Sequence, residues 1–322
     1  MPRGLQTVSR FQMTISIFGR EGRRRLAGKR HAPRKGAATQ RPVAPVQDGD
    51  SLRLMSLNIA HARRKAQHQG LLRDTTIRRN LKLIAGVIER ERPQIVALQE
   101  ADGPSFWSGG FDHVAALAGL AGFPHAFRGE HNRELLARLD LSYGTALLSQ
   151  LPLAATHSQA FLDNWRDTKG FVTATVAPDA LDGEPVDVVS IHLDFLADRV
   201  RRRQVEQLVE RFRGHDGHLV VMGDFNCAWS ERRRSLDLLL HELKLRPCRD
   251  SAAATYPAWR PLVRLDWILV SEGLEFSAYD TLDDRVSDHL GVVAEVHRRR
   301  SALQPRERSQ VHARRLPSVS LA

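Results

Sequence analysis

The sequence predicts an α/β fold, and two observations carry that expectation. Strand-like and helix-like segments alternate without a break from Leu52 to Val296, and five strand-like runs carry polar tips. The tips are Ser56-Leu57-Asn58, Leu98-Gln99-Glu100, Ile191-His192-Leu193-Asp194, Gly223-Asp224-Phe225-Asn226 and Ser287-Asp288-His289. Core strands gain nothing from burying Asn, Asp, Glu and His at their ends, whereas α/β proteins assemble sites where strands leave the core.

Leu52 to Ile59 reads as the first strand. Ile77, Leu81, Ile84, Ala85 and Ile88 recur at helical spacing between Thr76 and Arg92, and Pro93 ends that helix. Ile95 to Leu98 resumes as a buried strand. Val114 to Leu120 predicts a short helix that stops near Gly122 and Pro124. Strand-like runs follow at Thr145 to Ser149, Phe171 to Val176, Val186 to His192 and Leu219 to Met222. Arg199 to Arg213 reads as an amphipathic helix with Val200, Leu208 and Phe212 inward and its arginines in water. Leu236 to Leu243 predicts another helix, and strands at Leu265 to Val270 and Val292 to Val296 close the domain. There is no internal repeat and no heptad array.

At 322 residues the chain has room for two small domains, but the unbroken periodicity favours one, over residues 51–297. A basic leader, 1–50, and a basic tail, 298–322, flank it. Both read as disordered, being rich in charge and poor in apolar periodicity. The Arg-rich leader also resembles an organelle transit peptide, and a start codon assigned too far upstream would look similar.

The net charge of +11 belongs to these ends: they hold 18 of the 48 basic residues and 4 of the 37 acidic ones, which leaves the body at −3. The body is therefore not the basic surface of a protein that tracks a phosphate backbone. Cys227 and Cys248 form neither a disulfide framework nor a zinc pattern, which fits a reducing compartment. No apolar run approaches the roughly 20 residues of a membrane span, so a soluble, cytoplasmic protein is expected.

The tips supply a coherent chemistry. A hard cation such as Mg²⁺ wants oxygen ligands and keeps several waters, and Asn58, Glu100 and Asp288 offer such a set. Asp224 and Asn226, two apart on an extended tip, can point into one cleft as a water-activating carboxylate and a charge-stabilising amide, although an Asx-turn would use the same residues. Asp266 heads a strand and His289 follows Asp288. A carboxylate bonded to an imidazole favours its cationic form, which can hold a phosphoryl oxygen or protonate a leaving group. His192 is either a second functional imidazole or a structural one. The loop Gly103 to Phe111 carries three aromatics that either line a substrate wall or pack beneath the next helix, and packing is preferred.

Asn58, Gln99-Glu100, His192, Gly223-Asp224-Phe225-Asn226, Arg264-Leu265-Asp266-Trp267-Ile268 and Ser287-Asp288-His289 occur in an order that resembles the endonuclease/exonuclease/phosphatase family. That superfamily includes deoxyribonucleases, abasic-site endonucleases, inositol polyphosphate 5-phosphatases and neutral sphingomyelinases. The resemblance spans about residues 52 to 297. It implies a four-layer α/β sandwich, two packed mixed β-sheets flanked by helices, and Mg²⁺- or Mn²⁺-dependent cleavage of a phosphoester. By the same resemblance Glu100 is the principal metal ligand, helped by Asn58 and Asp288. Asp224 activates water, Asn226 is the transition-state donor, Asp266 with His289 polarises the phosphate, and His192 matches the deoxyribonuclease and sphingomyelinase branches. Tyr143 to Pro152 resembles a structural strand and turn of the family's bacterial hydrolases. After Asn58, the run Ile59-Ala60-His61-Ala62-Arg63 lacks the acidic residue that abasic-site enzymes carry nearby.

The expected function is a metal-dependent phosphohydrolase using in-line attack by an activated water. The alternative is a nuclease whose basic tails hold DNA or RNA. A non-catalytic binding module on the same fold is disfavoured because every catalytic-type residue is present.

Overall fold

A computed structural model describes residues 51–66, 72–129, 131, 142–161, 169–228, 235–248 and 253–299, all within one unit of the chain, Gln47–Ala322. The expected leader, 1–50, and all of the expected tail beyond Arg299 lie outside the described residues.

Twelve strands are described. They are β1 (Leu52–Asn58), β2 (Ile95–Asp102), β3 (His125–Arg128), β4 (Tyr143–Ser149), β5 (Ala154–Ala160), β6 (Gly170–Val176), β7 (Val186–His192), β8 (His218–Asp224), β9 (Leu245–Pro247), β10 (Asp266–Ser271), β11 (Leu274–Thr281) and β12 (Val292–Arg298). The described α-helices are α1 (Asp74–Glu91), α2 (His113–Ala121), α3 (Asp198–Arg211) and α4 (Ser235–Glu242). The strands form two six-stranded mixed sheets, ordered β11-β12-β1-β2-β4-β3 and β5-β6-β7-β8-β10-β9. In each sheet one parallel pair lies at the centre, β1 with β2 and β7 with β8, with antiparallel partners on both sides.

Period-two alternation sorts the strand side chains into layers. Leu52, Leu54, Ile95 and Ala97 of the first sheet meet Val186, Val188, Val220, Met222, Ile268 and Val270 of the second, forming the core between the sheets. Met55, Leu57, Val96 and Leu98 face the other way, onto Ile77, Leu81, Ile84 and Ile88 of α1 and Val114 and Leu117 of α2. Val189, Ile191, Val221, Trp267 and Leu269 likewise receive Val205 and Leu208 of α3 and Leu236 and Leu239 of α4. The result is the four-layer α/β sandwich.

Each inward row begins apolar and turns polar toward one end of the sheets. Leu52 and Leu54 lead to Ser56 and Asn58, Ile95 and Ala97 to Gln99, Val186 and Val188 to Ser190 and His192, and Val220 and Met222 to Asp224. Gln99 reaches across the sandwich to Ser190, Nε2 to Oγ 3.2 Å, and Ser190 donates back to the Leu98 carbonyl at 3.0 Å. The site is therefore the polar end of the core.

One sequence expectation needs correction. On α3, Val200 is only half-buried, and the buried face is Arg201, Gln204, Val205 and Leu208. Arg201 is drawn inward because its guanidinium donates to the Asp194 carbonyl at 3.3 Å. The strands β3, β5, β9 and β11 were not legible in the sequence. They are the four sheet edges, where one flank has no ladder partner and apolar alternation is weak. No helix among the described residues is long and apolar enough to cross a membrane.

Candidate active site

Asp224 ends β8, and Gly223 before it lets β8 approach β7 closely: a Cβ there would lie 1.9 Å from the Ile191 carbonyl oxygen. The Asp224 side chain is buried and surrounded by donors. Asn58 Nδ2 donates to its Oδ2 at 3.0 Å, His192 Nε2 stands 3.4 Å and His289 Nε2 3.6 Å from the same oxygen, and the Asn226 main-chain N–H donates to Oδ1 at 2.9 Å. Burial nevertheless outweighs these donors and, with the Asp266 charge nearby, pushes the Asp224 carboxyl up to about 6.

Asp266 begins β10, antiparallel to β8 and directly opposite Asp224. Its Oδ2 accepts from His289 Nδ1 at 2.9 Å. Burial disfavours the imidazolium, but Asp266 and Asp224 override it and raise His289 to about 10. The proton on Nδ1 is fixed by Asp266, so Nε2–H points toward the Asp224 side of the cleft. The main-chain N–H groups of Leu265 and Asp266 donate to Thr255 Oγ1, and the Tyr256 ring packs on His289 with centroids 4.8 Å apart.

His192 ends β7 and is held neutral, well below the ordinary histidine value, by burial and by the Lys169 ammonium. Lys169 Nζ lies 3.3 Å from His192 Nδ1. An ammonium only donates, so Nδ1 is the acceptor and Nε2 carries the proton that faces Asp224.

Glu100 sits at a bulge in β2, where pairing with β4 shifts register between Leu98 and Ala101 and Glu100 takes φ 51°. Asn58 Nδ2 is 3.4 Å from its Oε1 and His61 Nε2 is 3.2 Å from its Oε2. Burial works against its charge, but the surrounding cations, His61 first and then Lys169 and Arg63, hold the carboxyl far below the usual carboxylate range. Asp288 pairs with Arg63 at 2.5 Å. The cleft thus assembles all eight residues singled out in the sequence: Asn58, Glu100, His192, Asp224, Asn226, Asp266, Asp288 and His289.

One geometric expectation fails. Asn226 does not continue an extended tip beside Asp224. Its backbone is left-handed, φ 47°, its N–H closes an Asx-turn on Asp224 Oδ1, and its Nδ2 donates to the Leu193 carbonyl at 2.9 Å. A local side-chain acceptor two residues back competes with further extension, and here it wins. One amide hydrogen on Nδ2 remains for another acceptor. In the Gly103 to Phe111 loop, Phe111 packs against the α1 and α2 core and under the Arg78 guanidinium, whereas the Trp107 ring stands beside His61 with centroids 6.2 Å apart, so packing describes Phe111 and not the whole loop.

Sequence reasoning missed His61, Asp102, Arg63 and Lys169. His61 lies three residues past Asn58 and Asp102 two past Glu100, so proximity to the tips was their only signal. Lys169 carried none, standing just ahead of β6.

Among the described residues one grouping brings candidate ligand atoms close together. Asp224, Asp266 and His289 present ligand atoms within 4.8 Å of one another. In them, however, His289 is already a charged donor to the carboxylates. Glu100, firmly ionised, and Asp288 supply carboxylate oxygens of the kind that suit a hard divalent cation, while Asn58 turns Nδ2 to Glu100 and Asp224 and accepts from the Ala60 N–H through Oδ1.

The family described as Endonuclease/Exonuclease/phosphatase family matches residues 55–289. No curated protein gives a significant sequence match. Among solved structures, an endonuclease/exonuclease/phosphatase from Beutenbergia cavernae is similar at TM-score 0.60 and 21% identity, covering 77% of this chain and 72% of that one. The human Nocturnin catalytic domain is similar at TM-score 0.57 and 20% identity, over 77% and 95% of the two chains. A mannosyl-6-phosphatase from Bacteroides thetaiotaomicron is similar at TM-score 0.58 and 15% identity, over 76% and 99%. At these identities the likeness is one of fold.

Proposed function

The chain belongs to the endonuclease/exonuclease/phosphatase family, and on that premise we propose that it is a divalent-metal-dependent phosphohydrolase that cleaves a phosphoester by in-line attack of water. The observation that carries this reading is Asp224, a buried carboxylate raised to about 6 and set beside an imidazolium that Asp266 holds.

Glu100, with Asn58 and Asp288, would hold Mg²⁺ or Mn²⁺. When bound, that ion supplies charge neutralisation and Lewis-acid polarisation of a phosphoryl oxygen. Asp224 accepts the proton of the attacking water, and its value near 6 suits a general base at neutral pH. His289 donates from Nε2 to a phosphoryl oxygen and stays charged through Asp266. His192 presents Nε2–H to Asp224 and orients the carboxylate. Asn226, with its remaining amide hydrogen, donates to the charge developing on the phosphoryl group. Water is the nucleophile, so no residue is covalently modified.

The −3 charge of the body favours a small phosphodiester, a phosphomonoester or a phospholipid headgroup as substrate. One observation favours nucleic acid instead. Arg63, Arg64 and Lys65 follow the Asn58 tip, a run of three cations next to the site of the kind a phosphate backbone meets.

The test is hydrolysis of bis-p-nitrophenyl phosphate, p-nitrophenyl phosphate and supercoiled plasmid with Mg²⁺, Mn²⁺ or EDTA. Metal-dependent release from a small ester with intact plasmid is expected. Plasmid nicking that weakens steeply with salt would favour the nuclease, and inactivity on all three would overturn the hydrolase reading.

A further inference from the structure

Glu100 would be the central cation ligand of this site, yet it projects from a left-handed bulge, a backbone that by itself leaves the carboxylate plane unfixed. Two side chains fix it, one on each oxygen. Asn58 Nδ2 lies 3.4 Å from Oε1, and His61 Nε2 lies 3.2 Å from Oε2. We propose that His61, anchored by Asp102, is a positioning residue that sets the Glu100 carboxylate in its cation-receiving orientation. This rests on the reading of Glu100 given above.

The anchoring of His61 is extensive. Its Nδ1 is 2.7 Å from Asp102 Oδ1, and Asp102 is 0% exposed. With Nδ1–H committed to that carboxylate, Nε2 is left to meet Glu100. Asp102 lies within 3.8 Å of the buried His113, whose Nε2 contacts the Ser108 carbonyl, so the anchor is tied to α2 and to the turn before it. Two aromatic rings flank the imidazole, Tyr143 edge-on at 5.6 Å and Trp107 at 6.2 Å between centroids.

The backbone adds a further constraint. Ala60, His61 and Ala62 all adopt positive φ, 47°, 53° and 55°, a conformation that residues with a Cβ rarely take in succession. Asn58 Oδ1 accepts from the Ala60 N–H at 2.9 Å and holds the start of that turn. The same Asn58 side chain therefore touches Glu100 through Nδ2 and supports the His61 turn through Oδ1. Partners of this kind orient ligating groups, and losing one typically costs about 10–100-fold in metal affinity.

The test is Mn²⁺ binding to the full chain, read by electron paramagnetic resonance of free Mn²⁺, for the wild type and for His61→Ala, His61→Gln and Glu100→Gln. Thermal unfolding in EDTA is recorded for each variant. His61→Ala is expected to weaken Mn²⁺ binding by about 10-fold or more, and His61→Gln to restore most of it, because its amide can donate to Glu100. Binding unchanged in His61→Ala, or weakened equally in both His61 variants, overturns the proposal while loss of binding in Glu100→Gln leaves the Glu100 reading standing. Full Mn²⁺ binding by Glu100→Gln overturns that reading itself.

Discussion

Asn58 donates to Asp224 across 3.0 Å, joining the last residue of β1 in one sheet to the last residue of β8 in the other. Both side chains belong to inward rows that begin with Leu52 and Val220, so the candidate site continues the inter-sheet core instead of lying on a separate surface cleft. The apolar end of those rows supplies the burial that raises Asp224, and the polar end supplies the donors around it. Stability and chemistry share one set of strands.

The pH dependence of kcat/KM should be bell-shaped. Asp224 must be ionised to accept a proton, so the rate rises with pH through about 6. His289 must be charged to donate, so the rate falls as pH rises through about 10. A rate that does not change between pH 5 and 7.5 would remove Asp224 as the base.

Asp266→Asn should destabilise the protein more at neutral than at alkaline pH. His289 is raised from its ordinary 6.5 to about 10, so its stabilising contribution is complete below 6.5 and is lost as pH rises through 10. Breaking this buried pair should cost about 3 kcal/mol at pH 7, with the difference from wild type shrinking at pH 10.5. Urea unfolding at the two pH values measures it, and an equal gap at both would contradict the assignment of the charge to His289.

Gly223→Ala should damage both fold and site. The added Cβ meets a neighbouring strand's carbonyl, Ile191 O, at 1.9 Å, and main chain in the middle of a sheet cannot step aside cheaply. A loss of about 3 kcal/mol in urea unfolding is expected, together with reduced turnover as Asp224 shifts. Stability within about 0.5 kcal/mol of wild type would show that β7 and β8 are not so closely held.

Much of this architecture was legible because the inward rows announce themselves. Leu52, Leu54, Ser56 and Asn58 alternate with outward Met55 and Leu57, and the switch from apolar to polar along one row marks where the core becomes a site. What stayed hidden depends on long-range geometry. The left-handed backbones at Glu100 and Asn226 follow from a bulge and an Asx-turn, neither of which changes the residue pattern. His61 becomes significant only when β2 places Asp102 beside it, 41 residues away in sequence. Edge strands such as β5, mostly exposed, offered no apolar period to read.

The most direct test of the central claim is the rate of bis-p-nitrophenyl phosphate hydrolysis during Mn²⁺ titration, for the wild type and for Asp224→Asn. Saturable, EDTA-reversible activity in the wild type and a kcat at least about 100-fold lower in a folded Asp224→Asn protein is the predicted result. Metal-dependent turnover at the same kcat in both proteins would contradict the account.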